Sequence, residues 1–141
     1  MNKVFLTIML GICGVVLLGT VVMMVIGEFD PVVSIKNDSI NISGMYGLNV
    51  GFHEITGVTL IEDSMQNISD GQTMRTNGFD GFGQAQKGHF TSPQMGMHIR
   101  LVQSRTSPTI RIERRAFDIY LNFRDSEKTL LLYDDLIKIL P

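Results

Sequence analysis

Residues 4–26 carry no charged side chain, and their only hydroxyls are Thr7 and Thr20. At 1.5 Å rise per residue this 23-residue run makes a helix of roughly 34 Å, enough to cross a ~30 Å hydrocarbon core with some tilt. The sequence therefore predicts an apolar helix over residues 1–27 and a separate fold after it. A cleaved signal peptide has a shorter apolar core and then a small-residue cleavage site, and Val25-Ile26-Gly27-Glu28 offers no such site. Cys13 follows Ile12 and sits mid-run, which fits an apolar helix residue better than a lipidated cysteine. The expected state is a retained single-pass anchor. Lys3 precedes the run and Lys36 is the first basic residue behind it, which favours an N terminus in the cytoplasm and an exported domain.

Residues 28–31 read as a short polar linker, with Pro31 keeping Asp30 extended. Residues 32–141 are one domain's worth of chain. From Glu28 onward there are 11 Lys plus Arg against 14 Asp plus Glu, a mildly acidic balance that argues against nucleic-acid binding. Cys13 is the chain's single cysteine, so no disulfide or cysteine metal site is expected in the domain. Short alternating segments predict strands near 32–35, 39–43, 48–52, 58–61, 73–76, 89–91, 97–102, 109–113 and 117–123, with Asn77-Gly78 as a turn. In 97–102, Ile99 and Leu101 alternate with His98 and Arg100. The period changes at Asp125 or Ser126, either a good N-cap, and a helix follows to about residue 140. Its apolar face collects Thr129, Leu132, Tyr133, Leu136, Ile139 and Leu140, with Leu131 as a misfit. About seven strands closed by one helix suggest a bent or closed antiparallel sheet.

The strings GMYG (44–47), RTNGF (75–79), KGHF (87–90) and NFRDSEKTLLLYDDL (122–136) resemble the pleckstrin-homology-like (PH-like) domains of small bacterial membrane proteins. The resemblance covers roughly residues 32–140. It implies a mainly β fold, a seven-stranded bent antiparallel barrel capped by the C-terminal helix. Gln66 stands where relatives prefer proline, which touches only the local turn. The family has no settled activity to carry over.

A phosphoinositide site in the first hairpin would need clustered Lys and Arg, and none occurs between Asn37 and Met74. Basic residues gather instead between Arg75 and Arg124, most densely at Arg111, Arg114 and Arg115, which could meet anionic lipid or simply be solvated. The glycine-rich stretch from Asn77 to Gly88 lacks the Lys-Ser/Thr of a phosphate loop and reads as a twisted hairpin. Phe79 and Phe82 at its tip either pack inward or touch a bilayer or partner. His53, His89 and His98 have no metal-ligand spacing, and no nucleophile motif is present. No cofactor and no catalytic residue is expected. The chain reads as a non-catalytic interaction or scaffold domain held in the cytoplasmic membrane, with a protein partner. The alternatives are an anionic-lipid-responsive module using Arg111, Arg114 and Arg115, and a small-ligand or enzymatic site in the barrel mouth.

Overall fold

The computed structural model describes residues 2–63, 65–69 and 71–140. Helix α1 spans Lys3–Gly27 and projects from the domain, exposed along its length except at half-buried Met24 and buried Gly27. Asn2 caps it, its side chain accepting from the Val4 N–H. The Thr7 and Thr20 hydroxyls donate to the carbonyls of Lys3 and Val16, four residues back (3.0 and 2.9 Å). Both polar groups are thus satisfied within the helix, as an apolar surrounding requires.

The strands are β1 (Val32–Ile35), β2 (Ser39–Ser43), β3 (Leu48–Gly51), β4 (Ile55–Ile61), β5 (Met74–Asp80), β6 (Gln86–Ser92), β7 (Gly96–Val102), β8 (Thr109–Arg114) and β9 (Asp118–Asn122). A short helix α2 (Met65–Ile68) lies between β4 and β5, and α3 (Ser126–Ile139) ends the fold. The strands form two sheets, β1-β2-β3 and β4-β8-β9-β7-β6-β5. This corrects the expected seven strands in one antiparallel barrel. Each of the nine alternating segments becomes a strand, so there are nine among the described residues; the six-stranded sheet ends open at β4 and β5, and β7 pairs with β9 in parallel.

The parallel pair arises because the chain leaves β7, skips one position, returns as β8, and then inserts β9 into the gap. Residues 103–108 make the skip. Adjacent strands lie about 4.8 Å apart, so crossing two spacings needs roughly 10 Å, which six residues easily span.

Alternation along the strands gives the large sheet two different faces. Ile99, Leu101, Ile110, Ile112, Ile119 and Leu121 line one, packed with Ile40, Ile42 and Val50 of the small sheet and with Leu132, Leu136 and Leu140 near the chain's end. This is the main core. The opposite face carries Phe90, His98, Arg100, Val102 and Tyr120, and Met65 of α2 packs on Val102 and Tyr120 with Ile61, Ile68 and Met95 around them. His98 and Arg100 sit on the polar side of their strand, as the alternation predicts. That side is buried, however, not solvated.

Asn77-Gly78 is not a turn. Strand β5 runs through it, with Asn77 opposite His89 and Gly78 opposite Gly88 after a register shift beyond Arg75. Gly88 has a φ of +119°, and a Cβ there would collide with the Asn77 carbonyl and Gly78 Cα. The two glycines, opposite each other just past the bulge at Thr76, let the backbones close together, which explains their presence better than a turn does. The actual connection is 81–85, closed by the Gly81 N–H donating to the Ala85 carbonyl (2.8 Å).

Asp125 caps α3 by accepting from the Glu127 N–H (2.9 Å), and Thr129 Oγ1 accepts from the Phe123 N–H (3.0 Å). Thr129, Leu132 and Leu136 are buried and Tyr133 half-buried, so the expected register holds. Ile139 is the exception: it is exposed, and Leu140, just past the last turn, takes the inward place. The side chain of Gln66 lies outside the described residues.

Candidate functional site

Two places concentrate polar chemistry, and the first is where α1 meets the domain. Residues 28–31 are not a free linker. The buried Lys87 ammonium of β6 donates to the Phe29 carbonyl, and the Gln103 side-chain amide donates to the Glu28 carbonyl. Around these, Arg124 pairs with Glu28 (3.4 Å), its backbone N–H donates to Asp30 (3.3 Å), and Lys128 lies 3.6 Å from Asp30. The outer ion pairs are exposed and worth little each. The two inner hydrogen bonds satisfy backbone carbonyls at the foot of the helix, so their loss costs more. Burial pulls the Lys87 ammonium below its usual pKa, against the opposing pull of Asp30 and Glu28.

Phe79 is half-buried and lies against Gly27, where even a Cβ would strike its ring. Phe82 is 82% exposed and borders an apolar groove of about 200 Å³ formed with Val21, Met24, Val25 and Glu28. From Val21 to Gly27 is roughly 9 Å along a helix. The tip of the β5–β6 connection thus stands beside the apolar last turns of α1, not only beside its polar exit.

Arg111, Arg114 and Arg115 lie at the other end. Strand β9 starts beside them at Asp118 and finishes near Arg124, so the β8–β9 connection is roughly 13 Å farther from the helix foot. They do not form a free basic patch. Arg111 makes a close pair with Asp118 (2.7 Å), and Glu113 lies 3.7 Å away. Arg114 is mostly buried, donates to the Phe117 carbonyl (3.0 Å), and reaches Glu54 at 3.4 Å. Arg115 is exposed. Two of the three arginines therefore hold their own hairpin together, and Glu54, sixty positions away, is a partner no linear reading could supply.

The second place is a cleft of about 360 Å³ over the polar face of the large sheet. It is lined by Arg75 and Asp80 of β5, Gln86 and Phe90 of β6, Arg100 of β7, Arg105 of the skipping loop, and Met65, Ser69, Gly71 and Thr73. Arg100 is 1% exposed and has no carboxylate in hydrogen-bond or ion-pair contact among the described residues. Its Nε donates to His98 Nε2 (3.0 Å), Nη1 to Gln86 Oε1 (2.7 Å) and Nη2 to Thr73 Oγ1 (3.2 Å), and its guanidinium lies 5.0 Å over the Phe90 ring. Burial lowers its pKa to about 10, which still leaves it charged at neutral pH. Arg105 pairs with Asp80 (3.2 Å), while its Nε is buried without a hydrogen-bond partner. None of this was singled out in the sequence. The only signal was the excess of basic residues between Arg75 and Arg124.

His98 holds the floor of the cleft in one tautomer. Its Nδ1 faces the Gly96 carbonyl (2.9 Å) and must carry the proton, so Nε2 is the acceptor for Arg100. Burial depresses its pKa below 6.5, and the neighbouring Arg100 charge acts the same way, while the Gly96 hydrogen bond and Asp118 oppose. Above pH 6.5 both folded and unfolded chains hold this imidazole neutral, and its contribution to stability is full. As pH falls through that value the unfolded chain takes up a proton that the folded chain refuses, so stability drops. Thermal melting from about pH 7.5 to about pH 5.5 is expected to fall in the native chain and to fall less in His98→Gln, which keeps an acceptor for Arg100. His53 and His89 are exposed, so equal slopes in the two proteins would remove His98 as the source.

Among the described residues no three His, Cys, Asp or Glu side chains come together as a metal site. No family model, curated protein or solved structure matches the chain.

Proposed function

We propose that the chain is a single-pass protein of the cytoplasmic membrane that presents a non-catalytic β interaction domain in a fixed pose against the bilayer. One observation carries this reading. The helix is long and apolar enough to span a membrane, and its foot is gripped by Lys87 and Gln103 from inside the domain. A flexible tether would let the module turn freely, whereas a gripped foot presents one side to the membrane and the rest outward. Phe82 beside Val21, Met24 and Val25 then enters the interfacial region next to the helix, an aromatic contact added to the span. The domain lies on the outer side, by the weight of Lys3 before the helix. Exposed Leu130, Leu131 and Ile137 on α3 offer apolar surface to a protein partner. The internal pairing of Arg111 and Arg114, and their distance from the helix foot, speak against the lipid-responsive alternative.

The chain has no tryptophan, so Phe82→Trp gives a single indole at the hairpin tip, excited selectively beyond the tyrosine absorption. In the full chain reconstituted into vesicles, its emission is expected to be blue-shifted and quenched by lipids brominated on the acyl chain. Water-like emission without quenching would overturn the seated pose. Extraction of native membranes with alkaline carbonate checks the anchor: the protein is expected in the pellet at full-length mass, and a shortened, released form would show a cleaved signal.

A further inference from the structure

We propose that the arginine cleft is a binding site for a small phosphate monoester, with Arg100 at its floor and Arg75 and Arg105 on its walls. The argument starts from charge. Among the described lining residues there are three guanidinium groups and one carboxylate, Asp80, which is already engaged by Arg105. A lone Arg100 charge out of water is costly unless an anion completes its shell. A net charge of about two positive units suits a dianion better than a single carboxylate.

The hydrogen-bond inventory points the same way. Arginine has five N–H donors, and Arg100 uses one on each of its three nitrogens. Each terminal nitrogen keeps a second proton. Arg100 also consumes the acceptors of its neighbours: the Gln86 carbonyl oxygen and the Thr73 hydroxyl oxygen both face it. That leaves the Gln86 NH₂ and the Thr73 O–H as donors. Arg105 adds a buried Nε–H that has no partner, and Arg75 makes no ion pair among the described residues. Apart from Asp80 and Ser69, whose hydroxyl donates to the Met65 carbonyl, the polar side chains lining the cleft therefore offer protons, and a phosphate dianion offers only acceptors in return. Phe90 and Met65 supply an apolar wall for the rest of the ligand, and the cleft has the volume of a small-molecule site.

A phosphate monoester could arrive as a soluble metabolite or as a lipid headgroup, since the helix foot lies near Asp80 through Gly81 and Glu28. Titration calorimetry on the full chain in nanodiscs of phosphatidylcholine tests the site, with phenyl phosphate as probe and benzoate as the monoanion control. Phenyl phosphate is expected to bind and benzoate to bind at least about tenfold more weakly. Arg75→Gln and Arg105→Gln, both on the rim, are each expected to weaken phenyl phosphate by roughly tenfold or more while melting normally without ligand. Nanodiscs containing phosphatidic acid separate the sources: loss of phenyl phosphate binding there assigns a lipid headgroup, and unchanged binding assigns a soluble ligand, the site standing in either case. No heat from phenyl phosphate, or binding indifferent to both arginine variants, would overturn the proposal. So would binding that appears only in Asp70→Asn. That result would mean the chain supplies its own counter-charge from a residue between Ser69 and Gly71 in sequence.

Discussion

Leu136→Asp is expected to unfold the β domain, removing several kcal/mol from a stability that for domains this size is about 5–15 kcal/mol in all. Leu136 is fully buried where α3 packs across β4 and β8, within the cluster that also holds Ile110, Ile112 and the residues of the small sheet. Truncating such a leucine alone costs about 2–5 kcal/mol. A carboxylate there must either stay charged among isoleucines or take up a proton, and both add to the loss. Leu131→Asp is the matched control, since Leu131 is 59% exposed on the same helix. It is expected to shift stability by no more than about 0.5 kcal/mol. Circular-dichroism melting of the two variants checks the register of α3. Equal melting of Leu136→Asp and the native chain would refute it.

That register was legible because a helix carries its own evidence of orientation. Asp125, Thr129, Leu132 and Leu136 are local in sequence, and their spacing states both where the helix starts and which side turns inward. The same holds for α1, whose apolar composition suffices. Strands are different. Alternation in β7, β8 and β9 correctly separates Ile99, Leu101, Ile110, Ile112, Ile119 and Leu121 from their neighbours. It does not say which strand lies beside which. Residues 103–108 look like a hairpin connection and instead carry the chain over the end of a strand not yet made.

Nor does alternation say what covers the second face. His98 and Arg100 have the pattern of residues facing water, and the packing of α2, about one turn of helix that ends 30 positions before His98, makes that face an interior. The cleft followed from this burial, so it stayed hidden along with it. Conversely, Arg111, Arg114 and Arg115 stood out by density along the chain. Their partners Asp118 and Glu54 become visible only when β8 is placed between β4 and β9.

Asn122→Leu is expected to be the second severe substitution, at roughly 3–5 kcal/mol, because it strands several buried groups at once. Asn122 is fully buried at the end of β9, beneath the skipping loop. Its Oδ1 accepts from the backbone N–H groups of Gln103 (2.8 Å) and Ser104 (3.0 Å). Its Nδ2 donates to the Ser104 carbonyl (2.7 Å) and to Thr109 Oγ1 (3.0 Å). Leucine fills nearly the same space and offers none of these bonds, leaving two N–H groups and a carbonyl buried without partners. The consequence reaches beyond stability, because the loop it holds serves both polar places. Gln103 grips the foot of α1 through the Glu28 carbonyl, and Arg105, two residues on, forms a wall of the cleft. One amide therefore fixes the pose of the domain on its helix and the shape of the arginine cleft together. Hydrogen exchange is expected to accelerate at Gln103 and Ser104 in Asn122→Leu even under conditions where the remaining sheet stays protected. Unchanged protection at those two amides, with unchanged melting, would show that the loop is held by other means and that the two places are independent.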